Sequence, residues 1–300
     1  MTARPESSST RRDFIKGTAA ASAALWHLAN TASLVSAIDD VESSEDSPSV
    51  LIDISRCTGC NACALACKES NHALLSENPP ARLDAETYSF VDEREVVNRD
   101  GEQVARYVKR QCMHCLNPAC ASACPAAAMH LSDEGPVLYT ANRCLGCRYC
   151  QIACPFGVPQ FDWDNGLTPK ISKCWMCIDR LRAGNQPACV EACPTGALRF
   201  GRRKSMLRSA RARIGSNPDR YIDHVYGEHE VGGTSMLYLS DVPFEQLGLP
   251  TDLPTTAPSE ETARIMTKLP SVISVLGVAL SGAAVYARHR EPADAGETED

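Results

Sequence analysis

The sequence predicts an α+β fold of short strands and helices wrapped around cysteine ligands, with one transmembrane helix at the C-terminal end. All sixteen cysteines fall between Cys57 and Cys193, about 12% of that stretch, a density typical of a metal-rich or disulfide-stapled scaffold. They recur in four groups of four, flanked by short apolar runs of strand length. Leu269 to Ala287 carries no charge. The 300 residues allow one large domain or two small ones plus tails. Six Phe and three Trp make a thin conventional core, so the cysteines are expected to organise the middle. A net charge of -7 argues against a nucleic-acid partner, which needs a basic face.

The first element is an export signal over residues 1–37. Thr10, Arg11, Arg12, Phe14, Ile15 and Lys16 match the twin-arginine pattern. A weakly apolar stretch from Gly17 to Ile38 follows, and Val35-Ser36-Ala37 offers small residues for cleavage. An acidic linker (38–49) leads into the cysteine region.

The four groups are Cys57, Cys60, Cys63, Cys67; Cys112, Cys115, Cys120, Cys124; Cys144, Cys147, Cys150, Cys154; and Cys174, Cys177, Cys189, Cys193. In each, the fourth cysteine lies three residues past the third. Pro125, Pro155 and Pro194 follow it in three groups, and Lys68 in the first. Such C-x2-C turns converge thiolates on one iron–sulfur cubane, while the fourth cysteine ligates the cluster of another group. It is expected to start a short helix, with proline in the first turn. Four groups then hold four clusters and use every thiol.

Two other uses of the thiols fit less well. Disulfides suit an exported chain, but C-x2-C-x2-C runs are too dense for sensible pairing, and the twin-arginine route takes proteins folded with cofactor. Structural zinc wants two C-x2-C knuckles, which the trailing C-P does not supply. A zinc-stabilised membrane tether without redox role is the corresponding alternative function.

The surroundings of the groups read as a ferredoxin arrangement. Residues 50–56 and 136–140 are strands running into the first and third loops. Residues 128–131, 158–163 and 197–201 are strands leaving the C-P segments. Residues 201–260 form an extension that opens on a basic amphipathic helix over 201–213, with a solvated face. The uncharged span Leu269–Ala287 is about 28 Å long as a helix, enough to cross a bilayer; the transmembrane helix is placed at 268–288, with Pro270 in its first turn. Lysine and arginine counts at its two ends are balanced. Orientation follows instead from the export signal: body in the periplasm, acidic tail (289–300) in the cytoplasm.

The segments L-I-D-I-S-R-C-T-G-C-N-A-C-A-L-A-C, Q-C-M-H-C-L-N-P-A-C, C-R-Y-C-Q-I-A-C-P-F-G-V-P, K-C-W-M-C-I-D-R and P-A-C-V-E-A-C-P-T-G-A carry a specific resemblance. Over roughly residues 50–290 the chain resembles the four-cluster ferredoxin-type electron-transfer subunits of periplasmic, membrane-bound oxidoreductases. Two types are nearest, the HybA-type subunit of quinone-linked nickel–iron uptake hydrogenases and the beta subunit of formate dehydrogenase-N. The export signal and V-P-F-E-Q-L-G-L-P (242–250) favour the hydrogenase type; K-C-W-M-C-I-D-R-L-R-A-G-N-Q-P-A-C favours formate dehydrogenase, and the alternative partner is the molybdopterin subunit of a formate dehydrogenase or of another molybdopterin oxidoreductase.

The resemblance implies four [4Fe–4S] clusters and a pairing of groups that spacing leaves open. Cluster 1 takes Cys57, Cys60, Cys63 and Cys193; cluster 2 takes Cys174, Cys177, Cys189 and Cys67. Cluster 3 takes Cys112, Cys115, Cys120 and Cys154; cluster 4 takes Cys144, Cys147, Cys150 and Cys124. Residues 109–165 then form a second ferredoxin-like unit inserted between 50–108 and 166–200. It also implies a periplasmic catalytic partner, a quinone-reactive integral membrane partner, and no catalysis by this chain. His114, Tyr149 and Trp175 lie inside the ligand loops. They read as a packed histidine and as aromatics shielding clusters from water.

Overall fold

The computed structural model describes residues 46–71, 79–164 and 170–290. The export signal with Arg11 and Arg12, and the tail 291–300, lie outside the described residues.

The order of elements is set by where apolar runs interrupt the cysteine loops. Strand β1 (Pro48–Asp53) is buried on both faces, as a continuous apolar run in a central strand must be. It pairs antiparallel with β8 (Leu198–Arg202), Pro48 opposite Arg202 and Ile52 opposite Leu198. On its other edge it runs parallel to β9 (Met236–Leu239), Val50 opposite Met236 and Asp53 opposite Leu239. The other sheets are hairpins: β2 (Ser89–Val97) with β3 (Gln103–Gln111), β4 (Met129–Leu131) with β5 (Val137–Tyr139), and β6 (Gln160–Phe161) with β7 (Ile171–Ser172).

Short helices hold or adjoin some of the cysteines: α1 (Ala62–Ser70), α2 (Ala119–Ser122), α3 (Tyr149–Ala153), α4 (Ile178–Arg182), which follows Cys177, and α5 (Ala188–Glu191). A longer helix, α6 (Arg203–Ser216), follows β8. Strand alternation divides the side chains of β1 between two clusters. Val50, Ile52 and Ile54 join Met176, Leu198, Met236, Tyr238 and Phe244 on the face towards the cysteine loops. Leu51 goes the other way, against Met206, Ala210 and Ile214, one stripe of α6 at helical spacing. Each fully buried aliphatic side chain contributes about 1.5–3 kcal/mol relative to exposure.

The conventional core is thus larger than the aromatic count suggests. Tyr226, Tyr238, Phe244, Leu247 and Leu249 supply much of it, from a segment expected only as an extension. Helix α6 is the basic helix expected over 201–213, but Arg203 in its first turn is buried rather than solvated. It donates to the carbonyls of Thr234 (2.9 Å) and Glu228 (2.9 Å).

Of the described residues, 46–261 form one unit; the last helix, α7 (Pro258–Arg290), begins in it and continues into the other. Within Pro258–Ala284 an 18-residue window reaches a mean hydropathy of 1.5, and the helix is long and apolar enough to cross a membrane. Pro270 does not stand in its first turn as expected. The helix starts twelve residues earlier, with Glu260 and Glu261 in that turn, so Pro270 is internal. The acidic first turn suits the positive end of the helix dipole, which the count of apolar residues could not reveal.

Candidate metal centres

One backbone device recurs in all four cysteine loops. The residue before the second cysteine is left-handed: Gly59 (φ 70°), His114 (φ 47°), Gly146 (φ 69°) and Met176 (φ 56°). That turn folds the chain back over its own thiol, so an N–H faces the sulfur. Gly146 N–H donates to Cys144 Sγ at 3.4 Å and Met176 N–H to Cys174 Sγ at 3.3 Å. Glycine accepts this backbone freely, and at Gly59 a Cβ would also strike the Tyr107 ring. His114 and Met176 hold it against the usual steric preference, as surroundings at functional sites can enforce.

The first and third loops are launched alike. A 3-10 turn, Ile54–Arg56 or Ala141–Arg143, ends β1 or follows β5 and delivers Cys57 or Cys144. The short helices do not begin at the fourth cysteine, as expected. Cys63, Cys120, Cys150 and Cys189, each the third of its group, lie within them. Cys154 caps α3, and Cys124 and Cys193 follow the ends of α2 and α5. Pro125, Pro155 and Pro194 therefore terminate helices, a position that suits a residue that cannot continue one.

None of the sixteen cysteines is in a disulfide. The chain brings them together in four sets. Cys57 lies near Cys60, Cys63 and Cys193. Cys177 and Cys189 lie near Cys67, as does Cys174. Cys115 lies near Cys112, Cys120 and Cys154. Cys150 lies near Cys124, Cys144 and Cys147. In every set the fourth cysteine of one group joins three from another.

The sets border spaces rather than a point. One pocket is lined by Cys67, Cys174, Cys177 and Cys189, and another by Cys124, Cys144, Cys147 and Cys150. Among the described residues, no three His, Cys, Asp or Glu side chains close around one position as ligands of a single ion would.

Three cross-links put the sets in series. Cys63 of the first lies near Cys189 of the second, Cys174 of the second near Cys112 of the third, and Cys120 of the third near Cys150 of the fourth. At the two extremes, Cys60 and Cys147 are exposed.

The electrostatics favour a positively charged guest. Burial, and then neighbouring sulfurs, push the thiols of Cys115 and Cys174 well up, Cys120 and Cys189 to about 12, and Cys150 to about 11. As bare thiolates they would repel one another; bound iron would relieve this. Cys193 runs the other way. Burial pushes it up, but the Leu198 N–H, the Thr195 hydroxyl and the Ala197 N–H outweigh that and lower it. The donor sets therefore fit iron–sulfur clusters.

Two buried lysines that the sequence did not single out stand among the sulfurs. Burial would pull Lys109 down, yet Cys189, Cys63, Cys67 and Cys174 together raise it. Lys173 donates to the carbonyls of Val137 (2.5 Å) and Cys174 (2.9 Å). Their alkyl-and-charge character in K-R-Q-C and S-K-C gave no signal of burial. Trp175 lines the pocket of the second set, with its Nε1–H on Asn71 Oδ1 at 2.5 Å. Tyr149 does not shield the fourth set: it is 57% exposed, and Tyr139 lines that cavity instead. Buried His114 is hydrogen-bonded, its Nδ1 accepting the Val137 N–H at 3.0 Å.

Comparison with known proteins agrees with this chemistry. Residues 103–203 match the model of the 4Fe-4S dicluster domain. The chain is 43% identical over 256 residues to a protein of Nitratidesulfovibrio vulgaris, covering 82% of this chain and 68% of the relative. It is 35% identical over 259 residues to the hydrogenase-2 operon protein HybA of Escherichia coli O157:H7, covering 73% and 78%. It is 37% identical over 215 residues to the iron-sulfur subunit of the nitrate-inducible formate dehydrogenase of Escherichia coli K12, covering 67% and 72%.

Proposed function

The chain belongs to the family of iron–sulfur electron-transfer subunits that includes HybA and the formate dehydrogenase iron–sulfur subunits, and from that premise we propose that it is a four-cluster wire between a periplasmic catalytic subunit and a quinone-reactive membrane partner. The catalytic partner is a nickel–iron uptake hydrogenase. The sixteen cysteines ligate four [4Fe–4S] clusters in the crossed sets named above, with 109–165 inserted between 50–108 and 166–200.

The observation that carries this reading is the series. Each set lies near the next, and of the sixteen cysteines only Cys60 and Cys147, in the first and fourth sets, are exposed. Bound clusters supply one-electron centres, and electrons pass between them without bond chemistry. The chain's own residues fix the spacing, exclude water, and place N–H groups and buried ammonium groups beside the sulfurs, which favours the reduced, more negative state.

The helix root supports an exit from the half of the series formed by the third and fourth sets. In the first turn of α7, the Glu260 carboxylate accepts from Asn117 Nδ2 at 2.6 Å and Ser259 Oγ donates to the Asn117 carbonyl at 3.3 Å. Asn117 belongs to the second cysteine loop, so the membrane-entering helix starts beside the third set. Around Cys147, Leu145, Tyr149, Ile152 and Trp163 stay exposed, an apolar border suited to a protein partner. The twin-arginine residues Arg11 and Arg12 support export in the folded, loaded state, and α7 then anchors the body on the periplasmic side.

Protein purified anaerobically from membranes should contain about sixteen iron and sixteen acid-labile sulfide per chain, the content of four cubanes. A colourless, zinc-loaded sample would replace the wire by a metal-stabilised tether. The 37% identical formate dehydrogenase relative supports a second reading of the partner. Hydrogen should reduce the clusters in native membranes under the first reading, formate under the second.

A further inference from the structure

His114 sits between two cysteines of the second loop, fully buried and at a left-handed φ of 47°. Its tautomer follows from geometry. The Val137 N–H can only donate, and it points at Nδ1 from 3.0 Å. Nδ1 is therefore the acceptor, and the ring proton is on Nε2. Yet Nε2 is buried without a hydrogen-bond partner among the described residues. A buried donor left unmade is rare in native proteins and calls for an explanation by something bound.

The ring is also locked. The same Val137 peptide that donates to His114 accepts Lys173 Nζ through its carbonyl at 2.5 Å. Lys173 precedes Cys174 of the second set, and its charge falls on Cys120 of the third. The imidazole thus cannot turn its proton to Val137.

We propose that the Nε2–H of His114 donates a hydrogen bond to a sulfur of the cluster held by Cys112, Cys115, Cys120 and Cys154, and that this bond raises the reduction potential of that cluster. The proposal rests on the four-cluster reading above. Histidine here is a positioning and tuning residue. It stabilises the reduced cluster because a donor interacts better with the more negative state.

Two substitutions separate tuning from scaffolding. His114→Asn keeps an acceptor for the Val137 N–H and loses the distal donor. His114→Gln keeps a donor near the Nε2 position and loses the acceptor. In EPR-monitored redox titrations of the full-length chain with its native partners, His114→Asn should shift one cluster about tenfold towards the oxidised form, about 59 mV for one electron. His114→Gln should stay close to wild type. The reverse order, or four unchanged potentials in both variants at full iron content, overturns the proposal.

If neither variant retains its clusters, the wild-type protein decides. With 15N-labelled histidine, pulsed EPR of the reduced protein should show a histidine nitrogen coupled to a cluster; its absence overturns the proposal. Wild-type protein without iron and sulfide would instead sink the wire reading itself.

Discussion

Tyr238 donates its hydroxyl proton to the Lys109 carbonyl at 2.8 Å, which fastens the core sheet to the strand that carries a buried ammonium among the sulfurs. Burial pushes the Tyr238 phenol up to about 12, so it remains a donor across any working pH. Gln111 completes the device, accepting from Lys109 Nζ at 3.1 Å and donating to the Tyr238 hydroxyl at 2.8 Å. The ammonium has Cys63 of the first set and Cys189, Cys67 and Cys174 of the second as its charged neighbours.

Replacing Lys109 by Met removes that charge and keeps the side-chain length. The potentials of two of the four clusters should fall together, each by about tenfold in the reduction equilibrium or more, about 59 mV per tenfold for one electron. Redox titration by EPR checks this. Unchanged potentials with full iron content would mean that Lys109 only packs.

Crossed ligation makes a prediction that nearest-in-sequence ligation does not. Cys193→Ser and Cys57→Ser should perturb the same EPR signal, while Cys189→Ser should perturb a different one. Identical spectra from Cys193→Ser and Cys189→Ser would show that group four keeps its cysteines together.

Asp53 is fully buried and holds three partners: Arg213 Nη1 (2.8 Å), the Tyr221 hydroxyl (2.8 Å) and the Ser55 hydroxyl (2.7 Å). Arg213→Ala strands that carboxylate and should destabilise the fold by about 3 kcal/mol. The urea midpoint for loss of cluster absorbance should drop accordingly, and Asp53→Asn in the same background should recover part of the loss.

His224 and Glu230 make a pH-dependent pair, Nε2 to Oε1 at 2.8 Å. The bond to Glu230 raises His224 above its usual 6.5, so its contribution is complete below that value and is lost as pH rises through the raised one. Burial pushes Glu230 up, but the bonds from His224 and from the N–H groups of Glu230 and Gly227 lower it below 4.5. Its contribution is complete above that value and is lost as pH falls through the lowered one. The pair is thus strongest between about 4.5 and 6.5. The gap in urea midpoint between wild type and His224→Gln should be widest there and shrink at alkaline pH. His224 is nearly half exposed, so the effect is modest. A gap that does not vary with pH would rule out the pair as its source.

Ile152 is 83% exposed at the border of Cys147. Ile152→Glu should leave iron content and reduction by an artificial dye unchanged, and slow quinone-linked transfer severalfold. Equal loss in both assays would place the partner surface elsewhere.

Much of the chemistry was legible because it is local. Cysteines two residues apart around a left-handed turn such as Cys144-Leu145-Gly146-Cys147 must converge whatever surrounds them, and an uncharged run such as 269–287 must be buried or cross a membrane. The strands at 128–131, 136–140 and 197–201 followed from the same short-range pattern. The hairpin of β2 and β3 was not among the expectations, although Asp100-Gly101 lies between two β-rich runs, a short-range hairpin signal.

What only the tertiary structure decided is long-range. It placed Cys193 beside Cys57 and Cys63, brought β9 parallel to β1, turned Tyr226 and Phe244 into core, and buried Lys109, Lys173 and His114 among the sulfurs. Spacing dictates a turn, because a few residues share few conformations. It cannot dictate which turns meet, because that depends on how the whole chain buries its apolar surface and satisfies its polar groups at once.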